Sequence, residues 1–346
     1  MLVDNLEGCY VFYCRAVRRP TRRRVGGVMF VGAVLMVWLF FSQAIHEQTL
    51  TLPNLLKFAY QQESLKPIPF SLVPNLKCPK NSTRNIVIMV LSKMSNIVTR
   101  HAIRRTWGNR EMQIKYNFSM YFVVGREEGV SLNNDNGDLL QVDVDEDYNN
   151  LTYKTIAAFN WVVHYCQGTR HFFKIDDDVY LDLDILSKIQ RDANYVPDYA
   201  ILGSCNQISF PCRKSSKWQI SYEEYPFQIL PPFCNGPGYV MTLNTARKIY
   251  DEMRNTRVFK YEDVYVGIVA YKLGLSVKNV DNFVYNMNIY VYDWLFSDLF
   301  SRCHIITHYV SPGTVQQYWD RRTTFGKDKN DCSIWGIGKF ILSYIV

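Results

Sequence analysis

An apolar strand that ends in three consecutive carboxylates is the feature that most constrains the fold of this chain. Residues 172–175 are apolar enough to form a buried strand, and Asp176, Asp177 and Asp178 follow them in one turn. Like charges held together raise their free energy unless a cation neutralises them. Oxygen ligands of this kind suit a hard divalent ion such as Mg²⁺ or Mn²⁺. Open α/β sheets also bind ligands at the carboxyl ends of their strands. The alternative interpretation of the three aspartates is a solvated acidic turn without a bound ion.

Segments of strand length alternate with helical segments along most of the chain. Strands are expected at residues 86–91, 120–124, 139–144, 172–175, 200–203 and 239–242. Helices are expected at residues 99–107, 151–165, 183–193, 245–254 and 263–273. This alternation predicts an α/β sheet with helices on both faces, in one domain from about residue 85 to residue 346. Because 48% of the residues are hydrophobic, the chain can bury a substantial core.

The N-terminal region predicts a membrane anchor. Residues 1–24 hold six arginines against two acidic residues, so this tail carries +4 of the net charge of +7. Residues 25–41 lack charged side chains, and at about 1.5 Å per residue they span roughly 26 Å, enough for a thin bilayer. Arginines before the span leave the tail cytosolic and the rest of the chain luminal. The anchor is assigned to residues 25–44, and a signal peptide cleaved near Ser42-Gln43-Ala44 is the alternative.

Residues 45–84 contain five prolines among polar residues and are interpreted as a stem before the domain at 85–346. Sequons at Asn81, Asn117 and Asn150 agree with a luminal location. Seven cysteines beyond the tail allow up to three disulfides, whose pairing stays open, and their spacing argues against zinc. Since most of the basic excess lies in the tail, the charge does not indicate nucleic-acid binding.

Two further pairs of charged residues carry candidate chemistry. Arg100 and Arg104 lie four residues apart on one helical face and suit a diphosphate or another anion, with a solvated basic face as the alternative. Glu262 and Asp263 open a helix, where acidic residues are ordinary capping groups. If the fold brings them to the aspartates, one of the two carboxylates can act as a general base.

Residues 231–239 form a proline- and glycine-rich segment that is interpreted as a rigid turn. Gly236 and Gly238 would let a ligand approach the backbone closely. A plain tight turn without a ligand is the alternative.

Five ordered blocks, at residues 100–108, 146–155, 174–178, 236–239 and 262–267, carry a family resemblance. Together they resemble the β-1,3-glycosyltransferases of glycosyltransferase family 31, which include β-1,3-galactosyltransferases and β-1,3-N-acetylglucosaminyltransferases. The resemblance extends from about residue 85 to residue 319. It implies a nucleotide-sugar-binding glycosyltransferase domain of type A, with a Rossmann-like mixed sheet flanked by helices, behind an N-terminal transmembrane helix.

The resemblance also implies an activity and a location. The expected activity is that of an inverting β-1,3-hexosyltransferase, most simply a galactosyltransferase, that uses Mn²⁺ and UDP-galactose or UDP-N-acetylglucosamine. The acceptor would be a glycan on a glycoprotein or glycolipid, and the protein would be a single-pass type II Golgi membrane protein. A membrane-anchored, non-catalytic glycan-binding protein or chaperone with the same fold is the alternative.

Roles for individual residues follow from the same resemblance. Asp263 is the expected base, and Glu262 beside it is expected to contact the acceptor or the sugar. Asp176, Asp178 and His308 are the expected metal ligands. The residues expected to bind the UDP-sugar donor are Arg100, Arg104, Lys154, Asp176, Asp177, Gly236 and Gly238.

Overall fold

A computed structural model of the chain describes residues 49–76, 78, 86–130, 134–184, 187, 192, 195–286 and 303–321. The predicted tail at 1–24, the predicted anchor at 25–44, Asn81, Cys332 and most of the predicted helix at 183–193 lie outside these ranges. Within the described ranges, no helix has the length and apolar character needed to cross a membrane.

A mixed eight-stranded sheet and a smaller three-stranded sheet form the centre of the described fold. The strands are β1 (Phe70–Leu72), β2 (Ile86–Leu91), β3 (Phe118–Arg126), β4 (Leu139–Asp145), β5 (His171–Asp176), β6 (Val179–Leu181), β7 (Ala200–Asn206), β8 (Phe233–Thr242), β9 (Ser276–Asn279), β10 (Val284–Asn286) and β11 (Ile306–His308). The helices are α1 (Leu52–Phe58), α2 (Ile97–Arg105), α3 (Arg110–Lys115), α4 (Leu151–Tyr165), α5 (Leu243–Met253), α6 (Glu262–Lys272) and α7 (Pro312–Arg321).

The large sheet has the strand order β1-β4-β3-β2-β5-β8-β7-β9. Strands β4, β3, β2 and β5 are parallel, and β8 runs antiparallel between β5 and β7. All six residues of β2 are buried, as expected for a parallel strand that is covered on both faces. The predicted α/β architecture with a mixed sheet is therefore confirmed.

Two apolar cores lie on opposite faces of this sheet. Alternate residues of β2 divide between them: Val87 and Met89 pack in the core that includes α1, α4, α5 and α6. Ile88 and Val90 pack in the core that includes α2, α3, α7 and the small sheet. Because helices cover both faces of the sheet, polar side chains lie at the carboxyl edge of its parallel strands.

Residues 233–239 of the proline- and glycine-rich segment lie in a strand, so the interpretation of the segment as a turn is wrong. Strand β8 begins at Phe233 and pairs with β7 through Cys205 and Cys234 and with β5 as far as Ile175 and Gly238. Ladder pairing with both neighbours makes the segment extended despite its glycines and prolines. Because pairing with β5 stops at Gly238, the preceding residues of β8 run past the end of β5, and Gly236 comes to lie beside Asp176.

The fold begins before residue 85, within the predicted stem. Helix α1 packs its fully buried Leu55 against the domain, and β1 pairs antiparallel with β4 at the edge of the sheet. A disulfide joins Cys78 to Cys166 after α4, and a second joins Cys205 to Cys234. Cys212 and Cys303 are also disulfide-bonded, so all six of these cysteines are oxidised.

Candidate active site

The three aspartates at the end of β5 and in the turn after it contact three different sets of partners. Asp176 is the last residue of β5, and β6 begins directly after Asp178. β6 belongs to the small sheet, so the chain leaves the large sheet at this turn. The three carboxylates therefore have separate environments.

Asp178 faces His308 at the end of the small sheet. The pairing of β6 with β11 sets His308 opposite Val179, and Asp178 Oδ2 lies 3.5 Å from His308 Nε2. His308 Nδ1 lies 2.8 Å from Asn286 Oδ1. Because an amide oxygen only accepts, this contact assigns a proton to Nδ1. No group of three or more metal-ligating side chains occurs in the part of the chain that the structure describes.

Asp177 is bound to the loop after β2. Its Oδ2 accepts hydrogen bonds from Ser92 Oγ at 2.6 Å and from Asn96 Nδ2 at 2.9 Å. Arg100 also donates to Ser92 Oγ, at 3.1 Å, and to the carbonyl groups of Lys93 and Met94. With only 4% of its surface exposed, Arg100 is not part of a solvated basic face. It fixes the loop of residues 92–96 at the carboxyl edge of β2.

Arg104 and Lys154 are likewise engaged by protein groups. Arg104 donates to both oxygens of Asp138 at 2.8 Å. Lys154 donates to Glu146 Oε1 at 2.6 Å and to the Ser92 carbonyl at 2.7 Å. Arg104 thus supports the start of β4 and Lys154 the loop after β2, and Ser92 is the common partner of Arg100, Lys154 and Asp177.

Asp176 and Glu262 share one buried ammonium. Lys174 Nζ donates to Asp176 Oδ1 at 2.8 Å, to Glu262 Oε1 at 2.7 Å and to the Gly236 carbonyl at 2.6 Å. Glu262 Oε2 accepts from Tyr239 at 3.1 Å and lies 3.3 Å from the Thr155 hydroxyl. Burial raises the pKa of Glu262 to about 7, although the charge of Lys174 opposes the shift. Both oxygens of Glu262 are occupied by protein groups.

Asp263 follows Glu262 at the start of α6, and its carboxylate lies near Gly236. Its Oδ1 accepts from the Val264 N–H at 2.8 Å. A Cβ placed on Gly236 would lie 3.8 Å from Asp263 Oδ2, 3.7 Å from Asp176 Oδ2 and 3.2 Å from Glu262 Oε1. Burial raises the pKa of Asp263, which makes it a stronger base. Gly236 therefore leaves open the space between the carboxylates of Asp176 and Asp263.

The other predicted glycine has a packing role. A Cβ on Gly238 would collide with the Ile306 Cδ1 atom and lie 3.0 Å from Ile175 Cγ2. Strand β11 of the small sheet can approach β8 only because this position lacks a side chain. The structure thus places Gly236 at the site and Gly238 in the core below it.

An aromatic group borders Asp263. Tyr148 begins the turn before α4, and Lys217 Nζ lies 4.5 Å from the centre of its ring. Tyr261 directly precedes α6 and donates to the carbonyl groups of Lys217 and Gln219 at 3.2 and 2.9 Å. Burial, and next the charge of Asp263, raise the pKa of Tyr148 to about 12. Tyr148 is therefore a neutral hydrogen-bonding group near Asp263 at neutral pH.

Four residues of the site were missed in the sequence: Ser92, Lys174, Asn286 and Tyr148. Two of them had a usable signal, since Ser92 is the first polar residue after an apolar strand and Lys174 interrupts another. A lysine in a buried strand requires a partner for its charge. Asn286 and Tyr148 carry no comparable local pattern.

The sequence profile of the family described as Galactosyltransferase matches residues 98–281, more than half of the chain. The chain belongs to this family. The matched region contains the arginines of α2, the aspartates after β5, and the Glu262–Asp263 pair.

The chain is also similar to named glycosyltransferases. It is 34% identical to the human UDP-GalNAc:beta-1,3-N-acetylgalactosaminyltransferase 1 over 56% of its own length and 61% of that protein. The chain thus spans about three fifths of that relative. The rat protein of the same name is 32% identical over 70% of this chain and 76% of its own. Human Beta-1,3-galactosyltransferase 5 is 28% identical over 70% of this chain and 81% of its own.

Proposed function

We propose that this protein is an inverting β-1,3-hexosyltransferase with a type A glycosyltransferase domain, which moves a hexose from a UDP-sugar to a glycan hydroxyl. The observation that carries the proposal is the opening beside Gly236, which has Asp176 on one side and Asp263 on the other. Asp178, two residues after Asp176, lies 3.5 Å from His308 at the end of β11. Family membership and the names of the relatives support the same reaction.

Asp263 has the properties of the base. Its Oδ2 is directed at the opening, and its raised pKa favours proton uptake. In the proposed step, Asp263 takes the proton of the acceptor hydroxyl while that oxygen attacks the anomeric carbon. The bond from that carbon to UDP breaks, and the diphosphate leaves with the bonding electron pair. One base and one displacement convert an α-linked donor into a β-linked product.

Asp178 and His308 fit a divalent cation such as Mn²⁺. Nε2 of His308 and a carboxylate oxygen of Asp178 face each other at 3.5 Å, and both are donor atoms that such a cation can bind. The contact of Nδ1 with Asn286 is the kind of outer partner that ligating histidines have. When bound, such an ion would neutralise charge that develops on the diphosphate. Asp176, the third predicted ligand, has one oxygen bound to Lys174 and the other near Gly236.

For the donor we propose indirect roles for Arg100, Arg104 and Lys154. Arg100 and Lys154 bind atoms of the loop of residues 92–96, whereas Arg104 binds Asp138 directly before β4. Together with Asp177, Arg100 and Lys154 would shape the nucleotide site through that loop, Arg104 would act through the start of β4, and Gly236 would provide the space for the sugar. This proposal differs from the expected direct contacts of the three cations with the donor, because their charged groups bind protein atoms instead.

The donor sugar is proposed to be galactose, N-acetylglucosamine or N-acetylgalactosamine. The first two follow from the sequence blocks, and the third enters because two of the relatives carry it in their names. We further propose a type II Golgi membrane location, supported by the arginine-rich tail before the apolar segment at 25–44 and by the oxidised cysteines.

A donor screen tests the proposed function. Purified residues 49–346 are incubated with Mn²⁺, each of the three UDP-sugars and a panel of glycan acceptors, and UDP release and product mass are measured. Acceptor-dependent release with at least one donor is expected, and Asp178→Asn should abolish it without changing the melting temperature. Binding of glycan without transfer from any UDP-sugar would favour the non-catalytic alternative instead.

A further inference from the structure

We propose that Lys174 is a positioning residue that holds the donor side and the acceptor side of the site in one geometry. The inference rests on the proposed function, because it assigns the two sides by the roles of Asp176 and Asp263. It concerns a residue that touches neither reacting group and acts through the groups that it binds.

The environment of Lys174 is complete. Its side chain is fully buried, and an ammonium has three protons to donate. Three acceptors lie at 2.8, 2.7 and 2.6 Å, namely Asp176 Oδ1, Glu262 Oε1 and the Gly236 carbonyl. A buried charge is tolerated only with such compensation, so the geometry of all three contacts is tightly coupled.

The three acceptors belong to three different elements. Asp176 ends β5, Gly236 lies in β8 where that strand passes the end of β5, and Glu262 is the first residue of α6. One ammonium therefore links two strands and a helix start. Each of the acceptors adjoins the opening between Asp176 and Asp263.

The contacts leave the outward oxygens available. Lys174 binds Oδ1 of Asp176, whereas Oδ2 lies 3.7 Å from the position of a Cβ on Gly236. At the start of α6, both oxygens of Glu262 accept hydrogen bonds from protein groups. Its neighbour Asp263 directs Oδ2 toward the same Cβ position on Gly236. Lys174 thus fixes Asp176 directly and Asp263 through the start of α6.

A matched ion pair occurs on the same helix outside the site. Lys272, the last residue of α6, lies 2.6 Å from Glu252 and also donates to Thr256. It lies ten positions after Glu262 along the helix, or roughly 15 Å away. Lys272→Met removes a partly buried lysine of α6 without touching the opening, and it serves as the control.

The test uses variants that keep buried charges balanced. Lys174→Met alone leaves Glu262 buried without its cation and can prevent folding, so Lys174→Met/Glu262→Gln is compared with Glu262→Gln. Relative to Glu262→Gln, we expect the added Lys174→Met to lower kcat by a further factor of about 10 to 100 and to change the acceptor KM less than threefold. Small displacements of the groups that position the substrate cost this much. Lys272→Met should lower the melting temperature and leave kcat unchanged. A double variant with the same kcat as Glu262→Gln would overturn the inference.

A second readout needs no substrate. Asp176→Asn is introduced into the wild type and into the Lys174→Met/Glu262→Gln variant, and both shifts in melting temperature are measured. If Lys174 holds Asp176, the shift is more destabilising in the wild type, and equal shifts would refute the contact. A wild type that transfers no sugar but shows this coupling would refute the proposed function and still support the role of Lys174 in holding Asp176.

Discussion

Glu262 and Asp263 are neighbours in the sequence, but their surroundings give them different roles. Glu262 has one oxygen on Lys174 and the other on Tyr239. Asp263 uses one oxygen to accept from its helix and directs the other toward Gly236. A carboxylate that is already saturated with donors cannot readily take a substrate proton. Asp263 is therefore the stronger candidate for the base, and Glu262 is assigned a supporting role.

Replacing Asp263 by Asn should abolish most of the transfer activity and preserve the fold. Asn keeps the size of the side chain and can still accept from the Val264 N–H, but it cannot take up the acceptor proton. We expect kcat to fall by about 10²–10⁴-fold. Steady-state kinetics and the dissociation constant for UDP-sugar should be measured together. Wild-type kcat would reduce Asp263 to a cap, and lost donor binding would place it in the nucleotide site.

His171 should make the folded protein sensitive to acid. It is buried, and neither ring nitrogen has a hydrogen-bond partner among the residues that the structure describes. Burial, and next the charge of Arg170, lower the pKa of His171 to about 4. The unfolded chain therefore takes up a proton near pH 6.5, whereas the folded chain does so only near pH 4. Stability is complete above about pH 6.5 and is lost as the pH falls through this window, by on the order of 3 kcal/mol at most.

Urea unfolding at several pH values between 4 and 7 measures this effect. His171→Leu should flatten the dependence of the unfolding free energy on pH, and His101→Gln, at an exposed position of α2, should leave it unchanged. An equally steep dependence in His171→Leu would show that other groups are responsible.

At the scale of elements, strong local patterns were predicted well and short elements were missed. β2 and α4 lie where the sequence places them, because a run of six apolar residues and a 15-residue helix specify themselves locally. α1 and β1 were missed because seven and three residues gain their stability from tertiary packing. The glycines and the proline of β8 suggested a turn, yet pairing with β7 and β5 overrides that local preference.

Helix α1 should contribute to the stability of the domain although it lies in the predicted stem. Leu55 is fully buried, whereas Leu56 beside it is 44% exposed. Leu55→Ala should lower the unfolding free energy by about 2–5 kcal/mol. Leu56→Ala should change it by less than about 0.5 kcal/mol. Chemical denaturation of both variants checks the prediction, and similar small effects in both would show that α1 is not docked in solution.

At the scale of the whole molecule, the site combines segments that lie far apart in the sequence. Ser92 comes from the loop after β2, Asp176 from the end of β5, and Gly236 from β8. Asp263 comes from the start of α6, and His308 from β11. The sequence blocks identified most of these residues, and the order of the blocks indicated the family. Their division of labour was not predictable, since the partners of Lys174 and Lys154 are set by strand register and by helix docking.

The orientation in the membrane is a prediction for the full-length chain. In sealed vesicles, protease should remove an epitope placed in residues 1–24 and leave the domain intact, because arginines before the apolar segment keep the tail cytosolic. Glycosidase should lower the apparent mass if the sequons at Asn117 and Asn150 are luminal. A protected tail, or a secreted form that begins near Ile45, would contradict the anchor at 25–44.

The stereochemistry of the product tests the central claim most directly. Proton NMR of the first product formed from an α-linked UDP-sugar reports both the anomeric configuration and the linked position. A single displacement with Asp263 as base predicts a β-1,3-linked product from the wild type and its loss in Asp263→Asn. An α-linked first product would show retention of configuration and would contradict the account.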